Sequence, residues 1–196
     1  MSLDFINRIK GTVTQTLLRN LLSDAGYRVV PLGVEEVLRE LADISEEQYK
    51  QLNLALPLRK LPDFFVSNLG FTQSWLVEAK YRKSWNEQVR AELHGKLFAQ
   101  VETWQPLILL IVLGESPDGG DWTCSFIRTV ELSISAGELY ARSETNSQGI
   151  PWLEIDWADF DKIQITFAQL SDTSSGLTIQ KTVDFAKQLK LLGTKY

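Results

Sequence analysis

One cysteine and one histidine are the only thiol and the only imidazole that this chain offers to a metal. Cys124 alone cannot close an intrachain disulfide, and neither a Cys-rich nor a His-rich zinc site can be assembled from such a set. A lone cysteine suits a reducing compartment, so a cytoplasmic protein is expected. Long apolar runs are missing too, since the longest, Leu107–Leu113, falls far short of a bilayer span. Asp4 stands where a secretory segment would need apolar residues, so no signal peptide is expected. The glycines of 114–120 lead to no Gly-Lys-Ser/Thr, which removes a phosphate loop. His94 has no Gly-X-Ser-X-Gly elbow to serve, which removes the hydrolase triad.

A basic excess is also absent. The net charge is −5, unlike most nucleic-acid binders. The charge is uneven, however: residues 1–100 carry 13 Lys/Arg against 12 Asp/Glu, and residues 101–196 carry 7 against 13. Lys80, Arg82, Lys83, Arg90 and Lys96 form a local basic strip broken only by Glu87 and Glu92. Such a strip is compatible with phosphate contact, and equally with a solvated helix face. The length of 196 residues and a hydrophobic content of 44% fit one globular domain, 1–196, with a real core.

Helical spacing of Leu3, Ile6, Ile9, Val13, Leu17, Leu18, Leu21 and Leu22 predicts a helix over 3–25, with Gly26 to end it. A first strand is expected over 27–32, then short helices over 34–41 and 45–54, the second opened by a Ser45/Gln48 capping box. Asn86 is placed to cap a helix running to about Trp104, burying Val89, Leu93, Leu97, Phe98 and Val101. The unbroken apolar run Leu107–Leu113 predicts a strand covered on both faces. A loop over 114–121, a strand over 122–132 and a closing helix over 178–192 follow. Between 133 and 176 the patterns are weak, and 152–167 holds at least one element of undecided type.

The segment that carries chemistry lies between. Leu61-Pro62-Asp63-Phe64-Phe65-Val66 and Trp75-Leu76-Val77-Glu78-Ala79-Lys80 both read as strands, and the intervening Asn68 and Gly70 are turn residues. A hairpin turning near Gly70 puts Asp63 roughly opposite Glu78, about 5 Å apart. Glu78 and Lys80, two apart, project from one face, and Val77 and Ala79 from the other. Two carboxylates and an ammonium thus gather on a single sheet face, a hard-oxygen site suited to Mg²⁺. The plainer reading is a solvated hairpin whose charges face water.

Pro-Asp followed by Glu-X-Lys resembles the motif of the PD-(D/E)XK nuclease superfamily. The element order over about 3–113 is similar to the αβββαβ core of that restriction endonuclease-like fold. The resemblance implies an α/β domain with a mixed central sheet flanked by helices, leaving 114–196 as a C-terminal extension. It implies a nuclease that hydrolyses phosphodiester bonds in nucleic acid, DNA in the first instance, with Mg²⁺ or Mn²⁺. Asp63 and Glu78 would be metal ligands with the backbone carbonyl of Ala79, and Lys80 the catalytic lysine. Arg82, Lys83 and Arg90 would seat the nucleic-acid backbone.

The first-helix glutamate common in that superfamily is Gln15 here, a supporting residue without charge. Glu35 or Glu36 could supply the missing acid instead. Gln88 offers the second-helix glutamine of some members, without a tyrosine partner. Trp85 is the tryptophan to weigh for stacking on a base, against plain core packing. His94 and Cys124 read as structural residues. A homodimer is natural if both strands of a duplex are cut. The alternative is the same scaffold with a weakened site, binding nucleic acid or a protein partner; a purely structural domain with an accidental motif is the third reading.

Overall fold

The computed structural model describes residues 3–33, 51–115, 117 and 126–171, with Lys181, Asp184 and Gln188 in the C-terminal segment. Glu35, Glu36, Cys124, the expected 34–41 helix and the start of the 45–54 helix lie outside the described residues. Gln51 is helical but 52–54 are not, and the three described positions of the 178–192 segment are helical.

Helix α1 (Leu3–Asp24) ends where expected. Gly26 takes a φ of +88°, and Gly26 and Tyr27 donate their N–H groups to Ser23 and Leu22 carbonyls at 3.0 Å. Glycine enters this left-handed region without the Cβ penalty that would oppose such a stop. The chain then runs through β1 (Arg28–Pro31), the short α2 (Leu56–Arg59), β2 (Phe64–Ser67) and β3 (Ser74–Arg82). Helix α3 (Glu87–Val101) starts at Asn86, whose side chain accepts from the Val89 N–H at 3.0 Å. It stops short of Trp104 and leads through a cis Gln105–Pro106 bond to β4 (Leu107–Leu113).

These elements belong to a mixed α/β fold: an open, mostly antiparallel sheet of eight strands, with four helices among the described residues. Strands β1, β2 and β3 pair antiparallel in sequence order. The pair β3–β4 is parallel, with α3 as its crossover. The sheet continues antiparallel through β5 (Ile127–Ser135), β6 (Glu138–Arg142) and β7 (Ile150–Pro151). Strand β8 (Asp161–Lys162) pairs with β5 beside Arg128 and Thr129, in line with β6, and leads into α4 (Ile163–Thr166).

The expected 122–132 strand begins at Ile127 among the described residues and runs on to Ser135. The weakly patterned stretch contains a hairpin, turned by Ala136 and Gly137 at φ of 52° and 82°. Two positive φ values match the twist of a two-residue hairpin turn.

Every residue of β4 is buried, because each sheet face carries its own apolar layer. On one face Val77, Ala79, Ile108, Leu110 and Val112 meet Leu18, Leu21 and Leu22 of α1, with Ile163 and Phe167 beside them. On the other, Leu107, Leu109, Ile111 and Leu113 meet Leu93, Leu97 and Val101 of α3, with Trp152, Trp157 and Phe160. The odd and even residues of β3 therefore belong to different layers, as the pleat requires. No helix among the described residues is long and apolar enough to cross a membrane.

Candidate active site

The hairpin register pairs Phe64 with Val77 and Ser67 with Ser74. One step further along this register, Asp63 stands opposite Glu78. Asp63 sits in a bend behind the buried Pro62, just before β2 begins. Its carbonyl accepts from the Leu32 N–H at 2.9 Å, while its Oδ2 accepts from the Ala79 N–H at 2.8 Å. The carboxylate thus takes the place that the Pro62 carbonyl would hold if β2 began two residues earlier. The N–H and C=O of one strand residue point toward the same neighbour. The Ala79 carbonyl is therefore aimed to the Asp63 side as well.

Gln15 reaches the same carboxylate from α1, its Nε2 donating to Asp63 Oδ1 at 2.7 Å. A carboxylate oxygen only accepts, so the amide turns its NH₂ inward and its carbonyl elsewhere. Glu78 is treated likewise from the other layer. Gln100, in the last turns of α3, donates to Glu78 Oε2 at 2.7 Å and to the Leu61 carbonyl at 3.4 Å. The Lys80 ammonium bonds to Glu78 Oε1. Two helices on opposite faces, one hairpin and one lysine converge on two carboxylates, and all four carboxylate oxygens accept from a protein donor.

Burial differs across this cluster. Glu78 is 6% exposed and Gln100 9%, whereas Asp63 and Gln15 are half-buried. Burial pulls the Lys80 pKa down, but the charges of Glu78 and Asp63 and the hydrogen bond to Glu78 outweigh it; with Arg82 opposing slightly, the net shift is above the ordinary lysine value. Lys80 is firmly cationic. The donor chemistry, two carboxylates and an aimed backbone carbonyl, suits a small hard cation. Among the described residues no group of three or more His, Cys, Asp or Glu is placed to hold a metal, so the site would rely on two acids.

The basic strip fares unevenly. Arg82 donates to the Tyr81 carbonyl at 2.8 Å and pairs with Glu92 at 3.2 Å; burial lowers its pKa, against the pull of Glu92. The Arg90 Nε donates to the Leu153 carbonyl at 3.1 Å. Lys83 is exposed and only loosely paired, 3.8 Å from Glu115. Tyr81 lies between, with the Lys10 ammonium 5.7 Å from its ring centroid; burial and the Glu115 charge push its phenol up to about 12.

Trp85 is a core residue, 8% exposed, its ring 5.0 Å from Phe160 and 5.7 Å from Trp152. His94 stacks on Phe98 at 6.1 Å. Gln88 is exposed at the start of α3, and the glutamine that reaches the site is Gln100. The signal for Gln100 was a polar residue on an apolar stripe, since it falls in line with Leu93, Leu97 and Val101. Comparison with protein-family models, with curated proteins and with solved structures gives no match for this chain.

Proposed function

We propose that this chain is a metal-dependent nuclease of the PD-(D/E)XK type, hydrolysing phosphodiester bonds in nucleic acid, DNA first. The observation that carries the reading is the meeting of Asp63, Glu78 and Lys80 at one point, with Gln15 at the place of the expected acid. The order α1, β1, α2, β2, β3, α3, β4, with three antiparallel strands, a parallel fourth and the short α2 inserted between β1 and β2, supports a restriction endonuclease-like αβββαβ core.

Asp63, Glu78 and the Ala79 carbonyl would hold Mg²⁺ or Mn²⁺. When bound, the ion would supply charge at the phosphoryl oxygens and a more acidic water. Lys80 stays protonated and can orient that water or meet the charge building on the phosphate. Asp63 is kept in place by Ala79 and Gln15, and Glu78 by Gln100, so neither acid has to reorganise when a substrate arrives. Lys83 offers a solvent-facing charge for the strand. Cutting both strands of a duplex would require a second copy.

One observation favours the alternative, a nucleic-acid-binding module without turnover: Gln15, at the position of the acid that the resemblance implies, contributes no charge to hold a metal. Purified protein incubated with Mn²⁺ or Mg²⁺ and single-stranded, duplex and junction DNA, or RNA, decides between them. The parent is expected to cleave at least one substrate and Lys80→Ala none. Binding without cleavage selects the module, and equal cleavage by both proteins removes Lys80 from the mechanism.

A further inference from the structure

We propose that the Lys80 ammonium is the resident counter-ion of Glu78, occupying the place that a divalent ion must take, so that ion entry displaces it toward the substrate. The inference rests on the metal-dependent reading and concerns how that site is loaded. Glu78 is a buried carboxylate, and a buried charge needs compensation at every moment. Its Oε2 is committed to Gln100, a neutral donor anchored also on the Leu61 carbonyl. Its Oε1 is held by Lys80, whose side chain is a quarter exposed and so has room to leave.

Asp63 Oδ1 accepts from the Gln15 amide and Oδ2 from the Ala79 N–H, and the charge of Lys80 acts on it as well as on Glu78. A divalent ion placed between the two acids would compensate Glu78 in place of the ammonium and repel Lys80 across a short distance. A lysine charged throughout and two residues further along the same strand face can swing outward without any change in backbone. The same event would therefore fill the metal site and free the group that acts on water or phosphate. A chain built this way keeps its acids neutralised without metal and exposes its lysine only once loaded.

The competition is testable without turnover. Free Mn²⁺ is measured by electron paramagnetic resonance while the parent, Lys80→Met, Lys80→Gln and Asp63→Asn proteins are titrated, with circular dichroism confirming each fold. Lys80→Gln keeps a donor for Glu78 and guards against a methionine variant that does not fold. Removing the competing charge should tighten Mn²⁺ binding by about tenfold or more in the lysine variants, and Asp63→Asn should weaken it in every background. Parent binding with equal or weaker binding by both lysine variants overturns this inference and leaves the metal-dependent reading standing. Absence of binding by all the folded proteins overturns both.

Discussion

The two carboxylates sit close together and are satisfied by different means. Asp63, half-buried, takes an amide and a backbone N–H, both neutral. Glu78, almost fully buried, takes an amide and a full positive charge. Dipolar donors with water nearby can hold an anion at modest cost, whereas a dry anion needs a cation or must give up its charge. The drier half of the cluster is thus the half that the lysine bonds directly, although its charge also acts on Asp63.

The sharpest way to break that contrast is Lys80→Met. It leaves Glu78 buried beside a neutral amide, and the metal-free protein should lose about 3–5 kcal/mol in urea unfolding. A loss under about 1 kcal/mol would show that water reaches Glu78, and the division into dry and wet halves would fall. Next in size, Gln100→Leu orphans one oxygen of a buried carboxylate and should cost about 2–3 kcal/mol; Gln15→Leu, on the wetter side, should cost about 1 kcal/mol. Equal costs would mean that exposure does not set the penalty.

The smallest effect lies outside the cluster, at Tyr81. Its folded pKa of about 12 stands above the ordinary 10.0, so the folded state holds its proton more tightly than the unfolded chain. The corresponding stability is fully present below pH 10 and is lost as pH rises toward 12. Tyr27, also raised by burial, contributes in the same direction. Urea midpoints followed over this range should fall less steeply in Tyr81→Phe than in the parent. An unchanged slope would assign the alkaline sensitivity elsewhere.

How much of this was legible beforehand depends on how local the physics is. The β2–β3 hairpin follows from two short apolar segments and an Asn/Gly turn, and it alone brings Asp63 opposite Glu78. Gly26, Asn86 and the apolar β4 carry their signals within a few residues. Gln15 stood out only through the resemblance, and its bond to Asp63 joins residues 48 apart in the chain. Gln100 was hidden because one polar residue on a helix stripe ordinarily marks the stripe's border. The partners of Arg82 and Arg90 come from Glu92 and from Leu153, so no local pattern could reveal that these cations are engaged. The β5–β6 hairpin lacks the Asn-Gly or Asp-Gly pair that announces such turns, and Ala136 takes a left-handed φ without advertising it.

The turn over 68–73 is closed by its own side chain: Asn68 Oδ1 accepts from the Thr72 N–H at 2.9 Å and from the Gln73 N–H at 3.3 Å, while the Asn68 N–H donates to the Gln73 carbonyl at 3.1 Å. That loop is a phase-setter for everything downstream of it. Deleting a single residue there, unless a bulge absorbs it, would slide β3 by one position and invert its parity. Glu78 and Lys80 would then face the α1 layer, and Val77 and Ala79 would be offered to Gln100. A lineage that shortens or lengthens this stretch can keep its acids together only by changes that restore the phase, so loop length is inherited together with chemistry.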